Sequence, residues 1–248
     1  MSPGRSAFVR TPSYLPSMRL LLLFLLFLAA SAMFMSVHDI HMKDLVRVVR
    51  TALGVPSFHE RWTDESVRLL ESAPPRIRDL VFKRDSTLVR WAAGAELRIW
   101  IDEAPHLAGW RSDLPQRVRR AIAAWEAARL PIRVQYVDDA TRANVFVSWT
   151  DQLPGETLGT TEVVMNDLFG IQSAQILIAL QDADGALVDR EKLDATILHE
   201  AGHLLGLVHT DDTLSSMHPR SRATTPSAED IAVLQMLYRL PMGRIPAH

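Results

Sequence analysis

Residues 196–219 read T-I-L-H-E-A-G-H-L-L-G-L-V-H-T-D-D-T-L-S-S-M-H-P. No other stretch limits so tightly what the chain can fold into. His199 and His203 are four residues apart, so on a helix their imidazoles leave from one face and can share one metal ion. Glu200 lies about 100° further round that helix, too far for a third ligand but placed to reach a water molecule on the metal's open side. Gly206 can adopt the left-handed conformation that ends a helix, which turns His209 back towards the same point. Three neutral imidazoles with one position left open is the donor set of catalytic zinc. One zinc ion is therefore expected on His199, His203 and His209, with Glu200 as the acid–base group. Met217 follows eight residues after His209. A thioether is a poor zinc(II) ligand among imidazoles, so Met217 is expected to pack beneath them.

This H-E-x-x-H-x-x-G-x-x-H stretch with a later methionine resembles the metzincin clan of zinc endopeptidases, in which a methionine-containing turn underlies the metal. Within that clan the chain is similar to the matrixins. The similarity rests on the step from His209 to Met217, the S-x-M-x-P form of Ser215 to Pro219, and the following P-S-A-E-D-I-A-V-L-Q-M-L-Y segment at 226–238. It implies an α+β, zincin-like catalytic domain. Such a domain has a twisted, mostly parallel five-stranded sheet with an antiparallel edge strand, a long helix, the catalytic helix and a C-terminal helix. It also implies that Leu214, His218, Arg220 and Arg222 border the pocket for the residue after the scissile bond, and that Glu229 and Asp230 brace the methionine turn or a mature amino terminus. The chain departs from the family in having no cysteine, which removes the cysteine switch of many matrixin pro-segments.

The absence of cysteine also rules out disulfides and thiolate metal sites. A formal net charge of −2 without a basic block excludes a nucleic-acid binder of the usual electrostatic kind. Near the amino terminus, Arg5, Arg10 and Arg19 precede an uncharged run from Leu20 to Val37. With Ala30-Ser31-Ala32 it reads as a signal peptide cut after Ala32, or, at 18 residues, as an uncleaved single-pass anchor. Either reading sends the rest of the chain out of the cytoplasm, with membrane contact only if the segment stays attached. Residues 1–37 are thus an export or anchoring segment and 38–91 a helical linker or pro-segment. Residues 92–240 are read as the catalytic domain and 241–248 as a frayed tail.

In the 38–91 zone, apolar spacing predicts a helix over 45–53, a second from Thr63 to just before Pro74-Pro75, and a third over 76–84. His38, His41 and His59 read as solvated linker histidines, the alternative being a metal ligand in an inhibited form. Beyond it, L-R-I-W-I (97–101), I-R-V-Q-Y-V (132–137), N-V-F-V-S-W (144–149), L-G-T-T-E-V-V-M (158–165) and A-Q-I-L-I-A-L (174–180) read as strands. A long helix is expected from Asp113, an N-cap candidate, with Val118, Ile122 and Trp125 inward and Arg117, Arg119 and Arg120 mainly outward. By its order in the chain, 158–165 is the edge strand to which an extended polypeptide substrate would add. Asp182 and Asp184 ahead of Gly185 offer a calcium site, as matrixins have an acidic stretch near this place, or an Asx-type turn. The catalytic helix is expected to begin near Asp189–Leu193 and run to about Leu205, with Asp194 open between an N-cap and a group behind the ligands. A zinc endopeptidase acting on polypeptides outside the cytoplasm, with a monomer favoured, is the leading expectation. The alternatives are a catalytically silent, zinc-containing peptide-binding module and a zinc amidase for a small substrate.

Overall fold

The computed structural model describes residues 62–83, 86–103 and 106–245. Contacts divide the chain into Met1–Ser57 and Phe58–His248, and all the described residues fall in the second unit. The apolar run 20–37, the helix expected over 45–53 and the three linker histidines lie outside the described residues. Among the described residues no helix is long and apolar enough to cross a membrane.

The elements run α1 (Asp64–Glu71), α2 (Pro75–Lys83), β1 (Thr87–Leu88), β2 (Glu96–Ile101), α3 (Leu114–Ala124), β3 (Arg133–Tyr136), β4 (Val145–Thr150), β5 (Gly159–Met165), β6 (Ile171–Ala179), α4 (Arg190–Leu204), α5 (Ala228–Arg239) and β7 (Gly243–Arg244). A short 3₁₀ turn, Trp125–Ala128, extends α3. Five strands form one sheet in the order β3-β2-β4-β6-β5; every neighbouring pair is parallel except β5–β6. That is the mixed α+β architecture read from the sequence, with an antiparallel edge strand. Alternation explains the inner strands. Leu97, Ile99 and Ile101 of β2 and Val145, Val147 and Trp149 of β4 are buried, while their neighbours in sequence are more exposed. On the other side of this core, α3 contributes Leu114, Val118 and Ile122, and Trp125 continues the same face.

Three details differ from the sequence reading. Asp113 precedes α3 but caps nothing with its side chain; its carboxylate instead pairs with Arg117 one turn on, at 2.8 Å. Arg117 is not on the solvent face. It is buried, because its guanidinium also holds both carboxylate oxygens of Asp194 on α4 at 2.7 Å. Asp194 is accordingly not the N-cap of α4 but a strut between α3 and α4. The cap of α4 is Asp189, which accepts from the Lys192 amide at 2.8 Å.

The core also extends beyond 92–240. Ala73, Ile77, Leu80, Leu88, Val89 and Trp91 are buried in the same cluster as the sheet and α4. Residues 243–245, read as tail, are tied down: β7 pairs antiparallel with β1, and the Ile245 amide donates to the Ser86 carbonyl at 3.0 Å. The physical reason is that Leu88 and Leu240 are fully buried, which brings the two short flanking segments side by side.

Candidate metal centre

Helix α4 lies against β5, β6 and α3. Its buried residues include Leu193, Ile197, Leu198, Ala201 and Leu204, so most of its circumference faces protein and only a narrow face can be chemical. Its last carbonyls lack helical partners, as at every helix end. Two aromatic donors supply them: Trp91 Nε1 donates to Leu204 O at 2.8 Å and Tyr238 Oη to Leu205 O at 3.1 Å. Gly206 then breaks the helix at φ +106°, and a Cβ there would stand 2.8 Å from the Val89 carbonyl oxygen. Conformation and space both require glycine, and the turn it permits brings His209 back to α4.

The structure brings His199, His203 and His209 together. The Nε2 atoms of His203 and His209 lie 3.1 and 3.0 Å from Nε2 of His199. These are not hydrogen bonds. His199 Nδ1 donates to the Ser216 carbonyl at 2.7 Å, and His203 Nδ1 donates to the Leu207 carbonyl at 2.9 Å. In the neutral rings the proton is therefore on Nδ1, and both Nε2 atoms present lone pairs to the same point. A tetrahedral zinc ion with bonds of 2.0–2.1 Å spaces its donors about 3.3 Å apart, so the triad fits that ion. Burial is the main influence holding His199 below the usual imidazole range; the Ser216 carbonyl acts the other way. An imidazole kept neutral is the form that binds metal. Among the described residues no other group of three or more histidine, aspartate or glutamate side chains converges in this way.

Met217 is fully buried and lies directly beneath α4. A Cβ on Gly202 would overlap its Sδ and come within 2.9 Å of Trp125 Cζ2, so a bare backbone at 202 is what lets the methionine turn approach. The turn is tied to the third histidine's strand of chain by the Thr210 amide, which donates to Met217 O at 3.2 Å. Asp230 braces it from α5, accepting from Ser215 Oγ at 2.5 Å and from the Ser216 amide and hydroxyl at 2.9 Å each. The same carboxylate forms a capping box with Ser227, so Asp230 both caps and braces. Glu229 beside it is exposed.

Glu200 is 4% exposed. Burial pushes its carboxyl up to about 7, with the Thr161 hydroxyl working against that rise by donating to Oε2 at 2.7 Å. Thr161 belongs to β5. Two residues earlier, a Cβ at Gly159 would come within 2.7 Å of Glu200 Cγ and Oε1. Sequence reasoning passed over Thr161 and Gly159. A glycine inside a strand pattern signals close approach of another group, and that signal was available.

The remaining candidates are not part of the histidine cluster itself, although the charge of His218 is felt at His199. Leu214 is 81% exposed, Pro219, Arg220 and Arg222 are exposed, and His218 is half-buried with its Nδ1 accepting from the Arg220 amide at 3.1 Å. Asp182 makes an Asx-type turn, its Oδ1 accepting from the amides of Asp184 and Ala186 at 3.0 Å each.

Comparison with known proteins agrees with this geometry. The matrixin family model matches residues 91–239. The chain is 28% identical over 139 residues to metalloendoproteinase 1-MMP of Arabidopsis thaliana; the match covers 51% of this chain and 38% of that relative's length. A solved structure titled the GM1-bound form of the ECX AB5 holotoxin aligns with 64% of this chain and 88% of its own at 17% identity. Its TM-score of 0.42 is too low to bear on the argument.

Proposed function

The chain belongs to the matrixin family, and from that premise we propose that it is a zinc endopeptidase acting outside the cytoplasm, with Glu200 as its general base. The observation that carries the proposal is the meeting of two features at α4, onto which the Gly206 turn returns His209. Three imidazole nitrogens converge within 4.8 Å of one another, and a buried carboxylate lies beside them. His199, His203 and His209 would hold a zinc ion, which would supply Lewis-acid chemistry towards a peptide carbonyl and water.

The residues of this chain do the rest. With a proton affinity near neutrality, Glu200 can take a proton from attacking water and return it to the departing amine. Thr161 and Gly159 fix where that carboxylate stands. The outer edge of β5 pairs with no strand among the described residues, so its amides and carbonyls are available to an extended polypeptide. Leu214, His218, Arg220 and Arg222 are assigned to the wall of the pocket beyond the scissile bond, where the two arginines favour acidic side chains. A calcium ion at Asp182 and Asp184 is not part of the proposal, because one oxygen of Asp182 is already occupied by two amides. Action outside the cytoplasm rests on the arginine-flanked apolar run at 20–37.

The test uses purified protein: zinc content, then cleavage of casein with and without a chelator. Glu200→Gln should keep zinc and lose at least ~10²-fold in kcat. If wild type and Glu200→Gln are equally inert on many peptides, the protein is a binding module. If both cleave equally well, Glu200 is not the base.

A further inference from the structure

Asp230 is fully buried, and its charge is answered from an unexpected place. Arg76, in α2, is 154 residues away in sequence, and its Nη2 donates both to Asp230 Oδ1 and, at 2.7 Å, to Ser215 Oγ. The Arg76 side chain is only 10% exposed, and it is the one basic side chain paired with Asp230 among the described residues. From Asp230 the contacts lead to the metal ligands. Ser215 Oγ and Ser216 are held by its two oxygens, the Met217 amide donates to Ser215 Oγ at 2.9 Å, and the Ser216 carbonyl takes the Nδ1 proton of His199.

We propose that Arg76 is a positioning residue for the metal centre, aiming His199 through Asp230 and Ser216. A carboxylate in this place without a cation must take up a proton or admit water, and either change loosens the two serines it grips. The carbonyl that sets the tautomer and tilt of His199 would then lose its fixed position. Partners lying behind metal ligands are worth about 10–100-fold in metal affinity, and Arg76 acts one step further back, so the lower end applies. The zone ahead of the catalytic motif therefore holds a working part of the site: an active form of this protein keeps α2.

The inference rests on reading His199, His203 and His209 as a zinc site, and the experiment separates the two. Zinc(II) is titrated into the full chain in competition with a chromophoric chelator, at a temperature where circular dichroism shows the metal-free protein folded. Arg76→Gln is expected to weaken zinc binding about tenfold. Arg76→Lys, which keeps the charge, should stay within about threefold of wild type. Ile77→Ala, which loosens the same helix without touching the ion pair, should lower Tm and leave zinc affinity within about twofold. Equal affinity in wild type and Arg76→Gln overturns this inference alone, as does an equal loss in Arg76→Gln and Ile77→Ala. If Arg76→Gln does not fold, Arg76→Lys decides: a tenfold loss despite the retained charge overturns the electrostatic account. Wild type that takes up no zinc overturns the reading of the metal centre itself.

Discussion

At Glu200 burial and hydrogen bonding pull one carboxyl in opposite directions, and burial prevails. The folded protein therefore binds this proton more tightly than the unfolded chain does. Stability from this group falls as pH rises from about 4.5 to about 7, and the full penalty, up to about 3 kcal/mol, applies above that. In chelator-treated protein, Glu200→Gln should raise the urea midpoint at pH 8 and change it little near pH 4; an equal effect at both values would contradict the assignment. Asp230 has the opposite sign. Burial works against its charge, but hydrogen bonds from Ser215, Ser227, Arg76 and Ser216 outweigh it and hold the group at about 2. Its contribution is present above about 3.8 and is lost as pH falls through about 2. The ligands and Glu200 were legible in the sequence because a helix converts spacing into direction. Arg76 and Thr161 were not, since their partners are brought to them only by the folded chain; Gly159 carried only the general signal of a glycine within a strand.

At the scale of elements, the catalytic helix is built to be approached closely on the side of the methionine turn. Gly202→Ala tests this directly. Alanine is the better helix former by about 1 kcal/mol, yet its Cβ would overlap Met217 and press on Trp125. Overpacking of this kind costs about 1–3 kcal/mol, so the variant should be less stable despite its higher helix propensity. Thermal unfolding of the zinc-loaded and chelator-treated forms would show it; a raised Tm would mean that Met217 moves away at no cost. Most elements could be read from sequence because period and caps are local. Alternation marks β2 and β4, and Thr63, Asp189 and Ser227 cap their helices. Arg117 escaped because an amphipathic pattern assigns charge to solvent, and it does not register a buried carboxylate arriving from another helix.

Across the whole unit, sequence and packing follow different borders. The sequence reading starts the domain at residue 92, while the buried cluster reaches back to Ala73 and forward to Leu240. The two-residue strands β1 and β7 are too short to show a period, while Ile77 and Leu80 of α2 and Leu88 of β1 are buried. The edge strand adds a property of another kind. β5 runs in register with β6 from Gly159 to Val164 and then slips between Val164 and Met165. A polypeptide laid along its free edge meets about six regularly spaced residues, roughly 20 Å, before the ladder is interrupted. If substrate adds to β5 as proposed, this edge sets a length as well as a place. For a graded series of unstructured peptides, kcat/KM should climb with length until about six residues can lie on the strand and then level off. A flat response from four to ten residues would mean that the bulge measures nothing.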